Sequence, residues 1–251
     1  MSLVPDVLKD YLKGIGRSAL AFSGGVDSTY LLHACAESGA DAVPFMVIGD
    51  FQTVREVERA RRLAEHIGMD LVEIRVDVLS DPLIVSNGPD RCYHCKRRVF
   101  SSILECADGR ILMDGTNASD DVDGRPGMRA VSEMGVLSPL RACGITKSDV
   151  RRLSKEAGLE NWDLPSDSCL ATRIPCGTPI TKADLERTEA AEAEMRGLGF
   201  NDFRVRTMSE GARLETVPSQ SGLLDAKRPE AEKILLKYYA TVSYGTRTPQ
   251  R

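Results

Sequence analysis

The sequence predicts an α/β protein: a parallel sheet with helices on both faces, followed by a small α+β domain. In the first half of the chain, short apolar runs alternate with stretches of helical periodicity. Such βαβ repetition is typical of a parallel sheet. After a segment rich in proline and glycine, the pattern changes to a charged helix and two alternating strands. We therefore expect two domains, residues 1–177 and 178–251.

The first predicted strand is the apolar run 18–22, which breaks at a Ser-Gly-Gly turn before a buried helix at 29–35. The sequence then predicts a strand at 42–48, a helix at 54–67 ended by Gly68, a strand at 71–78, a helix at 90–107 and a strand at 110–113. A long loop rich in Asp and Gly, 114–127, follows. Loops of this length are usually functional or disordered.

Thr146 and Asp149 form a variant capping box, which predicts a helix running to Gly158. Residues 161–178 contain Pro and Gly and are predicted to be irregular. The remaining elements are a helix at 181–198, strands at 203–207 and 213–217, and a helix at 229–239.

Composition narrows the class of protein. The 33 basic and 37 acidic residues give a net charge of −4, whereas nonspecific nucleic-acid binding normally needs a basic excess. No run of eighteen apolar residues occurs, and the first residues lack the pattern of a signal peptide. We expect a cytoplasmic protein without a nucleic-acid or membrane partner. Its seven cysteines are an odd number, and in a reducing compartment we expect thiols rather than disulfides.

The sharpest motif is SGGVDS, which contains Ser23, Gly24, Gly25, Asp27 and Ser28 and lies between a strand and a helix start. Glycines let the backbone approach a ligand, while hydroxyls and free helix N–H groups favour a phosphate. The motif lacks the lysine of the P-loop and differs from the dinucleotide fingerprint G-x-G-x-x-G. It predicts a cradle for a phosphate or pyrophosphate.

A second motif places Cys92 and Cys95 on one face of a predicted helix, where they can hold a metal ion or two corners of an iron–sulfur cluster. Zinc would need two more ligands from His94, Cys169 and Cys176, whereas a cluster would need one more cysteine. Two packed cysteines without a ligand are the alternative.

Cys169 lies in a polar loop, four residues before Arg173, and a nearby cation favours the reactive thiolate. We therefore expect Cys169 to be a nucleophile. Cys35, Cys106 and Cys143 have apolar or small neighbours and are predicted to be buried structural thiols.

The segment from Asp114 to Asn117 follows a predicted strand, at the sheet edge where α/β proteins bind ligands. We expect it to hold Mg²⁺ or a nucleotide. For Asp120 and Asp121 a solvated loop is an acceptable alternative.

Four segments, in this order, resemble the LarE family of ATP-dependent sulfurtransferases in the PP-loop ATP pyrophosphatase superfamily. They are SGGVDS after the strand SALAF, CYHCK, the run DGTNASDDVDGRPGMRAVSEMGVLSPLRACGITKSDVR, and SCLATRIPCGTPIT. The resemblance covers most of 18–181 and is looser beyond, through RVR at 204–206 and ARLE at 212–215. It implies sulfur insertion into pyridinium-3,5-biscarboxylic acid mononucleotide, a step toward the nickel-pincer nucleotide cofactor of lactate racemase.

The resemblance also implies roles for particular residues. ATP with Mg²⁺ is expected at Ser23, Gly24, Gly25, Asp27, Ser28, Gly115, Thr116, Asn117 and Arg129. The sulfur comes either from Cys169, which then becomes dehydroalanine, or from a 4Fe-4S cluster on Cys92, Cys95 and Cys169. The three cysteines suit the cluster type, and Cys176 stands where the family is expected to have tyrosine.

We expect the nucleotide substrate to be bound by Arg173, Arg204 and Arg206, although ordinary surface arginines are an equal alternative for the last two. We also expect a homo-oligomer. Two other functions remain open: another PP-loop enzyme, acting in tRNA thiolation or amide formation, and a non-enzymatic sensor that binds ATP or zinc. The acidic composition and the lack of a glutaminase segment weigh against the first function. Turnover of ATP distinguishes an enzyme from the second, because a sensor would bind ATP without releasing AMP and pyrophosphate.

Overall fold

The computed structural model describes residues 3–121, 124–165 and 168–248. Its helices are α1 (Asp6–Ile15), α2 (Val26–Ser38), α3 (Val54–Ile67), α4 (Pro82–Val85), α5 (Arg91–Cys106), α6 (Pro126–Glu133), α7 (Pro139–Ala142), α8 (Lys147–Glu156), α9 (Lys182–Gly197) and α10 (Ser221–Leu235). Its strands are β1 (Ser18–Ala21), β2 (Ala42–Ile48), β3 (Val72–Arg75), β4 (Ile111–Met113), β5 (Phe203–Met208), β6 (Gly211–Thr216) and β7 (Val242–Thr246), and short 3₁₀ helices span Leu170–Arg173 and Pro218–Gln220.

The chain divides into two compact units. The first contains Met1–Val78 and Asp90–Leu164, and the second contains Leu79–Pro89 and Pro165–Arg251. Residues 168–177, which the predicted boundary assigns to the first domain, therefore pack with the second unit. They do so because Asn87 donates hydrogen bonds from its side-chain amide to the carbonyls of Pro175 and Thr178, at 2.8 and 2.9 Å.

The first unit has the predicted parallel sheet. Its strand order is β3-β2-β1-β4, and every neighbouring pair is parallel. Because β1 pairs with both β2 and β4, the segments that follow β1 and β4 leave adjacent strands at the same edge of the sheet. Helix α2 packs against this sheet and buries Tyr30, Leu31 and Leu32 completely. The fold thus places SGGVDS beside the Asp114 segment.

The second unit is the predicted small α+β structure. Strands β5 and β6 are antiparallel, and β7 adds a third strand, parallel to β6, that the sequence pattern does not predict. Helix α10 begins at Ser221, eight residues before the predicted start at Pro229, which lies inside the helix. Proline is most common in the first helical turn, which made Pro229 a misleading start signal. A separate core forms around Phe200, Phe203 and Leu235.

Helix α6 occupies part of the segment predicted as a long loop, where Pro126 begins the helix. Residues 122–123 of that loop, and 166–167 before Cys169, lie outside the described residues. Among the residues that the structure describes, no helix has both the length and the apolar character needed to cross a membrane.

Candidate functional site

The SGGVDS segment is held in shape by its own hydroxyl groups. The Oγ atoms of Ser23 and Ser28 lie 3.1 Å apart, and the Ser28 hydroxyl donates to the Gly25 carbonyl at 3.2 Å. The backbone N–H of Gly25 donates to Ser23 Oγ at 3.3 Å. No side chain in the described part of the chain caps the start of α2. Its first N–H groups are therefore available to an anion.

Two glycines of the predicted site are required by close backbone packing. Gly24 has a φ of 68°, and a Cβ there would lie 2.9 Å from Cα of Ala60 on α3. A Cβ on Gly115 would lie 2.9 Å from the backbone nitrogen of Ser28. The segment after β4 therefore touches the first turn of α2, which brings two of the predicted site segments together.

Asp27 is held by two groups from distant parts of the first unit. Lys147 Nζ lies 2.5 Å from Oδ2 of Asp27, and Asn117 Nδ2 donates to its Oδ1 at 3.2 Å. The sequence predicts Asp27 and Asn117 at this site but does not predict Lys147. Its position directly after Thr146, the N-cap of α8, was the available signal, because a helix start at a sheet edge is a frequent ligand site.

Asp114 is buried and organises the rest of this edge. Its Oδ1 accepts hydrogen bonds from the Thr116 N–H at 3.1 Å and from the Ser138 hydroxyl at 2.8 Å, and its Oδ2 accepts from the Thr116 hydroxyl at 2.8 Å. Lys96 Nζ lies 3.8 Å from Oδ2. These contacts make Asp114 a structural anchor for the loop, with Thr116 engaged in the same network.

Arg129, a predicted nucleotide ligand, lies on α6 at the face that packs on α5. Its guanidinium lies 3.8 Å from the centroid of the Tyr93 ring and forms ion pairs with Asp90 at 3.5 Å and Glu133 at 3.8 Å. The Tyr93 hydroxyl donates to Glu133 at 2.6 Å. Arg129 is thus held by two carboxylates and an aromatic ring.

Cys92 and Cys95 lie three residues apart near the start of α5, with Cys92 exposed and Cys95 half-buried. Cys169 belongs to the other compact unit. Within residues 3–121, 124–165 and 168–248, no group of three or more His, Cys, Asp or Glu side chains is close enough to hold a metal ion. Cys92 and Cys95 can supply two of the ligands that a cluster needs, but they do not complete one by themselves.

Cys169 directly precedes the 3₁₀ helix Leu170–Arg173 and is half-buried. Its carbonyl accepts hydrogen bonds from the backbone N–H and the hydroxyl of Thr172, at 2.9 and 2.8 Å. The loop is thereby held in a defined turn around a thiol that is partly open to solvent.

Arg173 is a buried member of the same loop, with a side chain that is 2% exposed. Its Nε donates to Glu192 Oε1 at 2.8 Å, and its NH1 donates to the carbonyl of Ser168 at 2.9 Å. Glu192 also accepts from the Val205 N–H at 3.0 Å and pairs with Arg196 at 3.2 Å. Arg173 therefore carries an internal ion pair, and in this conformation its guanidinium faces Glu192.

The other predicted substrate ligands lie on β5. Arg204 is buried, and Arg206 is half-buried with Nε 2.6 Å from Glu215 Oε2. NH1 of Arg206 donates to the Thr172 carbonyl at 2.8 Å, which ties β5 to the Cys169 loop. Arg206 is the more accessible of the two.

The remaining cysteines differ from one another. Cys35 is buried as predicted, and burial raises the pKa of its thiol to about 12. Cys106 was predicted to be buried but is exposed at the C-terminal end of α5, where it is the last residue of the helix. Cys143 is half-buried and Cys176 is exposed. None of the seven cysteines, all of which lie in the described residues, forms a disulfide.

Comparison with known proteins identifies relatives that match most of the chain. The pyridinium-3,5-bisthiocarboxylic acid mononucleotide synthase of Lactiplantibacillus plantarum is 36% identical over 216 residues, which are 84% of this chain and 78% of the relative. An uncharacterized protein of Synechocystis sp. is 35% identical over 85% of this chain and 81% of its own length. An uncharacterized protein of Methanocaldococcus jannaschii is 28% identical over 87% and 83%, respectively. No protein-family model matches the chain.

Proposed function

Because this chain belongs to the LarE family, the family of the pyridinium-3,5-bisthiocarboxylic acid mononucleotide synthase, we propose that it is an ATP-dependent sulfurtransferase. Its substrate is pyridinium-3,5-biscarboxylic acid mononucleotide, and its product is a thiocarboxylate precursor of the nickel-pincer nucleotide cofactor. The observation that carries the proposal is the cradle formed by SGGVDS and the Gly115 segment, with Asp27 held by Lys147.

The first step is adenylation. A substrate carboxylate oxygen bonds to the α-phosphorus of ATP while the bond to the oxygen bridging the α and β phosphates breaks, which yields an acyl adenylate and pyrophosphate. The first N–H groups of α2 and the hydroxyls of Ser23 and Ser28 support binding of the departing pyrophosphate. Asp27 would hold Mg²⁺, which supplies charge neutralisation at the phosphates when it is bound. Lys147 adds a positive charge beside Asp27.

The second step brings in sulfur. The Cys169 thiolate attacks the acyl carbon and AMP leaves, so that a thioester joins the substrate to Cys169. Loss of the Cα proton of Cys169 and cleavage of its Cβ–S bond then leave the thiocarboxylate on the substrate and dehydroalanine in the chain. In the alternative that the sequence favours, a 4Fe-4S cluster on Cys92, Cys95 and Cys169 would supply sulfide, and Cys169 would survive the reaction.

Arg204 and Arg206 are proposed ligands of the substrate phosphate, with Arg206 favoured by its exposure. Arg173 is proposed to act on substrate through the conformation of its loop, since its guanidinium faces Glu192. We also propose that the enzyme is cytoplasmic and homo-oligomeric, and light scattering of the purified protein tests the second point.

Product analysis of ATP turnover tests the function. We expect AMP and pyrophosphate to form only when an acceptor carboxylate is present, and Asp27→Ala or Ser28→Ala to abolish most of this activity. Asp10→Ala changes an exposed carboxylate on α1 and is the matched control. Release of ADP and phosphate, or ATP binding without turnover, would contradict the proposal; the second result is the one expected of a sensor.

A further inference from the structure

A cleft of about 750 Å³ opens in the first unit between the start of α5 and helix α6. Its volume is within the range of small-molecule sites. The charged groups on its wall are the guanidiniums of Arg125, Arg129 and Arg141 and the carboxylates of Asp90 and Glu133. This lining carries both signs of charge, with one positive charge in excess.

The two carboxylates of the cleft are already engaged. Both Asp90 and Glu133 pair with Arg129, and Glu133 also accepts from the Tyr93 hydroxyl. Arg141 donates from its side chain to the backbone carbonyl of Asp120 at 2.9 Å, and among the described residues neither Arg125 nor Arg141 has a carboxylate partner. Arg125 and Arg141 are therefore the two cations of the cleft left to bind an anion.

The cleft adjoins the nucleotide cradle through direct contacts. Ser138 lines the cleft and donates to Asp114 at 2.8 Å, while the backbone N–H of Arg141 donates to the Thr116 carbonyl at 3.2 Å. Asp114 and Thr116 flank Gly115, the residue that presses against the first turn of α2. A ligand in the cleft therefore lies beside the same sheet edge as the proposed phosphate cradle.

We propose that this cleft binds the pyridinium carboxylate group of the substrate, with Arg125 and Arg141 as ligands of a carboxylate. This inference rests on the proposed function. A pyridinium ring that carries two carboxylates presents one for adenylation and leaves the other for a guanidinium fork. The ring's positive charge is complemented by Asp90 and Glu133. Arg129, stacked on Tyr93, positions these two carboxylates on the cleft wall.

Calorimetric titration with nicotinic acid mononucleotide tests the cleft, because this probe has the ring, one carboxylate and the phosphate. The protein is first saturated with a non-hydrolysable ATP analogue. We expect Arg125→Gln and Arg141→Gln each to weaken binding by about tenfold or more, since a charge-assisted contact is lost. Nicotinamide mononucleotide, which lacks the carboxylate, should bind weakly to the wild type and be insensitive to either change.

Arg98→Gln is the matched control, because Arg98 is an exposed arginine on α5 outside the cleft lining. The inference is overturned if the wild type does not bind the acid, if the double variant binds it unchanged, or if the variants lose the ATP analogue equally. None of these three results contradicts the proposed function, which is tested separately by AMP release from the wild type with the biscarboxylated substrate. Failure of that release instead contradicts the proposed function.

Discussion

The ammonium group of Lys147 lies 2.5 Å from a carboxylate oxygen of Asp27, although 120 residues separate them in the chain. Both side chains are largely buried, with 16% and 25% of their surfaces exposed. The pair joins the start of α8 to the first turn of α2, so that the two helix starts meet at one edge of the sheet. This contact fixes the only acidic side chain of SGGVDS.

We expect Lys147→Ala to lower kcat/KM for AMP formation by about tenfold to a hundredfold, because Asp27 loses a charge-assisted contact of about 1.5–3 kcal/mol. Lys147→Arg should retain part of the activity. Pyrophosphate release measures the effect. Lys155→Ala is the control, since Lys155 lies at the other end of α8 and is exposed. Equal activity in Lys147→Ala and wild type would remove Lys147 from the site.

Gly115→Ala is expected to destabilise the first unit by about 1–3 kcal/mol, because the added Cβ overlaps the backbone of Ser28. It should also weaken ATP binding, since the same contact shapes the cradle. Urea unfolding and titration with an ATP analogue measure the two effects.

The control for this change is Gly14→Ala in α1, where an added Cβ meets no atom within 4 Å. That variant should gain up to about 1 kcal/mol, since alanine is the better helix former. A Gly115→Ala protein as stable as the wild type would show that the two segments separate readily.

The elements of the parallel sheet could be predicted because each of them depends on local signals. The strand 42–48 and the helix 54–67 have the predicted bounds, and the capping box of Thr146 and Asp149 forms as expected. Each of these rests on periodicity or on a contact within four residues. Both SGGVDS and the segment after β4 were likewise visible as polar turns that follow apolar strands.

The missed features depend on tertiary packing. In the sequence Lys147 resembles a surface lysine, because its contact with Asp27 depends on the packing of α8 near α2. Arg173 lies in a polar loop, yet its side chain is buried in an ion pair with Glu192, nineteen residues later. Strand β7 is partly exposed and weakly apolar, and it exists because β6 offers an open edge. No local pattern distinguishes these residues from surface ones.

The rate of reaction with a thiol reagent should distinguish the buried cysteine from the exposed ones. At pH 8 Cys35 should not react with Ellman's reagent in the folded protein, because burial raises the pKa of its thiol to about 12. Exposed Cys92, Cys106 and Cys176 should react quickly. The number of fast thiols should be unchanged in Cys35→Ala and one lower in Cys176→Ala. Rapid labelling of Cys35 in native protein would contradict its burial.

The same thiol gives a dependence of stability on alkaline pH. The unfolded thiol ionises near its ordinary pKa of 9.0, whereas the folded thiol stays protonated until about pH 12. The folded state therefore holds more protons between these values, and this contribution to the free energy of unfolding is lost as pH rises through the window. The decline should be shallower in Cys35→Ala. Parallel curves for the two proteins would argue against the raised pKa.

Arg173→Met should destabilise the second unit, because it leaves the buried Glu192 with less compensation. Removing one partner of a buried ion pair costs about 3–5 kcal/mol, and the remaining Arg196 contact places this case toward the lower end. Chemical unfolding followed by circular dichroism measures it, with exposed Arg228→Met as the control. Sulfur transfer should also fall, since Arg173 anchors the carbonyl of Ser168. A stable, fully active variant would show that the pair does not hold this loop.

Cys169 should be indispensable to sulfur transfer whichever donor operates, whereas Cys176→Ser should keep partial activity. Cys169 lies in a loop held by Thr172 and Arg173 and is partly open to solvent, while Cys176 is an exposed thiol seven residues later.

Mass spectrometry after one turnover distinguishes the sources of sulfur. Loss of one hydrogen sulfide from the Cys169 peptide identifies a sacrificial donor. An unchanged peptide with product formed, together with iron and labile sulfide in anaerobically purified protein, identifies the cluster. Full activity of Cys169→Ala would exclude both, because neither route can then deliver its sulfur through this loop.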